Sequence, residues 1–352
     1  MTTATAPAAA PPLRAARLRL SWVVAGVVAA AAAALAGLVM GPVSLSPVEV
    51  VGQLLGATTD LDDRQVAIVE QIRLPRVVLG LLVGATLSLC GASYQGVFRN
   101  PLADPYLLGA AAGAGLGATL VIVRVAEGAG TPGYVPLAAF AGALGAVFLS
   151  YALGAAGGGR GSTASLILAG VAVASFLTAV QTFVQQRNQD TIRDVYVWIL
   201  GRLSTSGWSD VRMLLPYALV CWVVLLGHRR VLDVLAVGDD EAATLGLHPA
   251  RTRLIVVGAA TLGTAAAVSV SGLIAFVGII VPHTVRLLAG RSHRVVLPLS
   301  MLFGGAFLCV ADLLARTLSS PAEIPIGVVT AFFGAPFFVL VLRSSRRMGV
   351  TA

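Results

Sequence analysis

The chain contains no lysine. A P-loop needs one to reach the β- and γ-phosphates of its nucleotide, so this chain is not its own P-loop ATPase. Charge of any kind is scarce, at 11% of residues, against about 25% in average soluble domains. A soluble protein of 352 residues would need more polar surface. Aromatics are also few, and the arginines sit at the ends of apolar runs rather than among stacking rings. That excludes a nucleic-acid surface. Cysteine is limited to Cys90, Cys221 and Cys309, each inside an apolar run. No spacing suggests a disulfide framework or a metal cluster, and the three read as inert packing residues. Of the four histidines, His228, His248 and His293 fall on inner loops and His283 inside an apolar run. They form no ligand set, and His283 reads as a satisfied structural histidine.

What the chain has in abundance is apolar surface, 57% of residues. About 20 such residues span a bilayer as a helix. Spans are expected near 22–40, 77–98, 106–125, 134–156, 164–186, 211–227, 254–271, 273–288, 295–317 and 325–343. The runs are continuous, unlike the alternating segments of a β-barrel. The expected fold class is therefore an all-α polytopic membrane protein with about ten transmembrane helices. One permease-sized domain covers 20–345, between tails at 1–19 and 346–352. The run from Trp22 to Met40 exceeds a signal-peptide core of ~7–15 residues and reads as the first span. Residues 254–282 carry no charge. Ser269, Ser271 and Gly272 mark a break there, of the sort tolerated only where protein or a water-filled path covers the backbone.

Arginine bias sets the orientation. With the N-terminus inside, fifteen arginines fall on inner segments and nine on outer ones, so both termini are expected in the cytoplasm of a plasma-membrane protein. The outer segment 41–72 reads as a partly helical cap. The segment 187–210 reads as an interfacial helix with Trp198 and Trp208 at headgroup level. Gly91, Pro101 and Gly109 share their spacing with Gly272, Pro282 and Gly290, an echo five spans apart that suggests an inverted repeat.

The inner segment 229–253 is the longest inner connection. Its Gly238-Asp239-Asp240-Glu241-Ala242 start suits a helix N-terminus, with Asp239 as the cap. Leu245 follows, and Gly246 and Pro249 stop the helix. It reads either as a solvated loop or as a short helix offered to a partner groove. Arg73-Leu-Pro75-Arg76 either anchors a helix end or docks an acidic partner. Arg99-Asn100-Pro101, with Asp104 as a possible mate for Arg99, forms a rigid turn or a gate. Asp312 and Arg316, four apart, suit an ion pair. If Asp312 coupled protons instead, the chain would be an ion-coupled secondary transporter.

These blocks together resemble the FecCD-type permeases of ABC importers, which carry iron–siderophores, haem and vitamin B12. The matching residues are Arg73-Leu-Pro-Arg76; Gly91 through Gln95 to Pro105 and Gly109; Glu241 to Gly246; Gly272 to Gly278 with Pro282, His283 and Arg286; His293-Arg294; Asp312 with Arg316; and Ile324 to Gly327 with Gly334-Ala-Pro336. The resemblance implies a permease subunit moving an iron(III)-siderophore or related metal chelate, with vitamin B12 or haem as alternatives. It implies a homodimer or a paralogous heterodimer, two ATPase subunits that use ATP and Mg, and an extracytoplasmic substrate-binding protein. It implies no cofactor, metal or catalytic residue on this chain. It assigns ATPase coupling to the helices around Gly246 and binding-protein docking to Arg73, Arg76 and Arg316. The inner gate falls at Ser162, Thr163 and Ala164, with Asn100, Pro101, Pro282 and His283 as further gate or path residues.

Overall fold

Long Ala/Leu/Val runs with few charges form helices here, and glycine ends several of them, as at Gly272 and Gly290. The computed structural model describes residues 17–156, 163–203 and 207–348, and no strand occurs among them. The helices are α1 (Leu20–Val39), α2 (Pro47–Leu54), α3 (Asp63–Ala67), α4 (Leu74–Val97), α5 (Ala110–Ala126), α6 (Val135–Ala156), α7 (Thr163–Arg187) and α8 (Ile192–Ile199). They continue as α9 (Trp208–Gly227), α10 (Arg229–Leu235), α11 (Asp239–Thr244), α12 (Pro249–Ser271), α13 (Val277–Ala289), α14 (His293–Thr317) and α15 (Ile326–Met348). Seven are long and apolar enough to cross a membrane, α4 together with α3 and the π-helical turn Ile68–Arg73 counting as one. Three shorter apolar helices, α5, α13 and the Ile326–Val341 part of α15, supply the remaining expected spans. The outer segment 41–72 is partly helical, as expected.

One helix organises the others. The most apolar stretch of α4 is 89% buried inside the protein, against 17% for α7. Helices α9, α12, α13 and α14 all pack on α4. Small residues let the backbones meet, the general device for helix association in lipid. A Cβ on Gly84 would lie 2.3 Å from the Gly304 carbonyl oxygen of α14, and one on Gly91 would lie 2.1 Å from that of Gly278 in α13. In α5 and α6 the pair Gly113–Gly142 does the same.

The expected break after span seven is present. Helix α12 stops at Ser271, Gly272 takes φ +70°, and helix resumes at Val277. The freed backbone is covered by protein. Ser271 O accepts the Arg202 N–H (2.8 Å), Ile274 O accepts the Tyr106 hydroxyl (3.1 Å) and Gly278 O accepts Gln95 Nε2 (2.9 Å). Phe276, also at positive φ, lays its ring where a Cβ on Gly334 of α15 would sit.

Two expectations fail. Trp198 is buried and the half-buried Trp208 donates from Nε1 to Glu70 O at 3.0 Å, so neither indole is presented to headgroups as expected. The residue-level echo also fails, because Gly91 lies inside a helix, Gly272 at a break, Pro101 in a turn and Pro282 inside α13. Helix α4 packs on α9, α12, α13 and α14, and α12 packs on α4, α5, α6 and α9.

Substituting Gly91→Val drives a branched side chain into the Gly278 backbone. It is expected to destabilise the protein by about 3 kcal/mol, read as a lower melting temperature in detergent. A variant as stable as wild type removes the close approach as the organising contact.

Candidate functional site: the α11 clamp and the buried arginine cluster

Helix α11 is one and a half turns long and lies outside the spans. Its N-cap is Gly238, and Asp239, expected to cap it, does not. Asp239 Oδ1 accepts instead from Arg253 Nη2 (2.6 Å) in the first turn of α12 and from Arg99 Nη2. Arg99 follows α4 with φ +48°. It is not paired with Asp104, whose Oδ1 accepts the Tyr106 N–H at 2.7 Å. One carboxylate therefore joins α11, α12 and the turn after α4.

The far end of α11 closes as expected. Gly246 takes φ +81°, its N–H donates to Ala243 O (2.9 Å), and the Leu247 N–H donates to Ala242 O (3.0 Å). This doubly bonded C-terminal cap satisfies the last carbonyls. Ala242 faces inward, while Asp240, Glu241 and Gly246 are exposed. Val237 and Leu245 are each 71% exposed, an apolar pair held out on a fixed support.

A second junction on the α11 side escaped the sequence reading. Asp233 of α10 accepts from Ser292 Oγ (2.6 Å) and the His293 N–H (2.5 Å), and His293 Nδ1 lies 3.0 Å away. Arg294 Nε is 3.6 Å away. Burial alone would raise the Asp233 carboxyl pKa, but the bonds from His293 and Ser292 outweigh it and hold the group below the ordinary carboxylate range. The only sequence signal was an acid inside an otherwise basic and apolar stretch.

At the end of α4 away from α11, expected on the outer side, the three docking candidates are all buried. Arg73 donates to the carbonyls of Leu38 (2.7 Å), Val39 (2.9 Å) and Val43. Arg76 forks onto Asp312, with Nη2 to Oδ1 at 2.8 Å, and reaches Glu323 at 2.8 Å. Arg316 reaches Gly37 O and lies 3.8 Å from Asp312, the expected i,i+4 pair. The cluster thus fastens these ends of α1, α4 and α14 to the loop before α15. Asp312 is occupied by guanidinium groups.

The gate candidates lie on three separate elements. Ser162 lies outside the described residues. Thr163 opens α7, and Ala164 beside it is exposed. Asn100 and Pro101 form the turn after α4, where Asn100 Oδ1 accepts the Leu102 N–H at 2.9 Å. Pro282 is buried in α13. His283 meets Phe337 edge-on, with ring centroids 5.7 Å apart, and its buried Nδ1 has no hydrogen-bond partner among the described residues. It is not the satisfied histidine that was expected.

Spans gathered round one encased helix, a protein-covered break and a capped helix held outside the spans define a polytopic membrane permease. Residues 18–344 match the model of the FecCD transport family, and the chain belongs to that family. It is 48% identical over 280 residues to the cobalamin import system permease protein BtuC of Halobacterium salinarum, covering 78% of this chain and 73% of that one. It is 39% identical to the hemin transport system permease protein HmuU of Yersinia pestis, covering 81% and 86%. It is 37% identical to the Fe(3+) dicitrate transport system permease protein FecD of Escherichia coli, covering 78% and 85%. A solved inward-facing metal-chelate type ABC transporter superposes with a TM-score of 0.82 at 29% identity, covering 93% of this chain and all of the other.

The Asp233 junction carries a pH signature. A depressed folded pKa adds stability that is present above the ordinary carboxylate value, about 3.9, and is lost as the pH falls through the folded value. Melting temperatures of wild type and Asp233→Asn should differ at pH 7 and converge toward pH 3. Parallel curves would remove Asp233 as a charged tie.

Proposed function

We propose that this chain is the membrane-spanning subunit of an ABC importer for a metal chelate: an iron(III)-siderophore, or else haem or cobalamin. Two permease chains, identical or paralogous, enclose the path. Two separate ATPase subunits bind ATP and Mg on the cytoplasmic side, where both permease termini also lie. A binding protein delivers cargo to the outer mouth. The family match supports the transport role, and the relatives' named cargoes support the chelate class. The observation that carries the coupling role is α11, a short capped helix flanked by the exposed Val237 and Leu245.

Motion reaches the membrane through Asp239. An ATPase gripping the Val237–Leu245 face pulls α11. The Arg253 pair passes that displacement to α12, and the Arg99 pair passes it to the turn after α4. The turn carries Asn100 and Pro101 and leads to α5. The gate switches between outward and inward access as these elements shift, with Ser162, Thr163, Ala164, Pro282 and His283 on the moving parts. The chain itself performs no covalent chemistry.

Docking of the binding protein, which the family resemblance assigns to Arg73, Arg76 and Arg316, is proposed to reach the surface through Arg76, since Arg73 and Arg316 are buried on backbone carbonyls and brace the site from behind. Glu323 already occupies one side of Arg76, so an acidic residue of the partner must compete with it. Glu323→Gln is expected to tighten docking several-fold and Arg76→Gln to weaken it, measured by surface binding of the cognate binding protein at low salt. Docking unaffected by either change would move the contact elsewhere.

Reconstitution in proteoliposomes tests the whole reading. Chelate uptake should require both ATP and the ATPase subunit. Uptake without the ATPase that follows a proton or sodium gradient would establish the secondary transporter instead. Partly exposed ion pairs contribute at most about 1 kcal/mol to folding, so Asp239→Asn should fold and bind the ATPase. It should transport roughly tenfold less chelate per ATP hydrolysed, with Asp239→Glu recovering most of the loss. An unchanged transport-to-hydrolysis ratio would remove the clamp from the mechanism.

A further inference from the structure

A groove of about 350 Å³ runs along the outside of the bundle between α13 and α14, closed at one end by Trp22 of α1. Trp22, Val281, Val285, Leu288, Phe303 and Phe307 are among its lining residues, and the only hydroxyl there is that of Thr284, which donates to Ile280 O at 2.8 Å. The α13 wall from Ile280 to Ala289 rises about 14 Å at 1.5 Å per residue. That is close to one leaflet of a hydrocarbon core about 30 Å thick. Its length and volume suit a single acyl chain lying along the α13 wall.

The Trp22 end of the groove carries positive charge. Arg19 is the N-cap of α1, one turn before Trp22, and Arg291 lies two residues after Ala289. Both are exposed, and neither side chain has a hydrogen-bond or ion-pair partner among the described residues. Helices α1 and α14 rise side by side, since Gly26 seats against Leu302. Arg19 lies about 10 Å below that contact, and the start of α14, with Arg291 just before it, lies about 14 Å below, so both side chains fall at the same end of the groove. Asp233, the acid at this junction, is engaged by Ser292 and His293.

We propose that this groove is a site for one anionic phospholipid of the arginine-rich leaflet. Its acyl chain lies between α13 and α14, and its phosphate sits at Arg19 and Arg291. Basic pockets between membrane helices bind anionic headgroups in this way, each surface guanidinium strengthening the attraction by about fivefold. The site does not depend on the transport reading.

The test is native mass spectrometry of the full chain with dioleoyl phosphatidylglycerol or dioleoyl phosphatidylcholine. Wild type should retain one phosphatidylglycerol, preferred more than tenfold over phosphatidylcholine. Arg19→Gln with Arg291→Gln should bring the preference close to parity. Thr284→Phe, which fills the groove, should lose both lipids. Equal retention by wild type, or a preference untouched by the arginine changes, overturns the proposal. Loss of a dimer in Thr284→Phe would assign the groove to a second copy and overturn it too. If Thr284→Phe does not fold, phosphatidylglycerol with a photoactivatable acyl chain should label wild type within 280–289 and 299–310, and labelling elsewhere overturns the site.

Discussion

The close approach of backbones along α4 is the constraint on which the molecule depends. In lipid, helices gain little from burying apolar surface against one another, so association relies on packing and on satisfied polar groups. Glycine at positions 84 and 91 brings α14 and α13 to within backbone contact of α4. With α4 encased, its polar side chains work as internal ties. Tyr94 bonds Thr261 of α12 at 2.8 Å, and Gln95 holds the Gly278 carbonyl. Trp222 of α9 donates to Thr86 at 3.0 Å.

Both ends of this central helix are gripped by arginine, in opposite manners. At the end away from α11, Arg76 is buried under two carboxylates, one of them buried with it, and breaking such a pair is costly because a charge is left without a partner. At the α11 end Arg99 and Asp239 stay partly in water, where a pair is weak and exchangeable. A rigid fastening at one end and a loose one at the other suit the proposed mechanism, in which α11 and the turn after α4 shift while the opposite face holds its shape.

Much of the fold was readable from residue order alone. Apolar run length placed ten spans, and the charge-free 254–282 segment with its serines and Gly272 located the break. Gly246 and Pro249 marked the end of α11 because a left-handed stop has a local signature. What escaped depends on partners distant in sequence. Arg99 lies 140 positions from Asp239, and Asp104, five residues away, was the wrong local choice. Trp198 looked interfacial because amphipathic composition does not reveal that Gly201 and Gly272 leave room for the 192–199 helix to bury it. Asp233 passed unnoticed because a lone acid becomes a junction only when another helix start arrives beside it.

The break at Gly272 also bears on how the protein is made. Helix α13 has 13 residues, about 20 Å at the usual rise, too little to cross a bilayer core of about 30 Å. The non-helical residues 272–276 ahead of it complete the crossing, and their backbone groups find partners on other elements, as the Ile274 carbonyl does at Tyr106. Bare in lipid, such groups would be costly. Insertion of this stretch is therefore tied to the arrival of the segments that cover it.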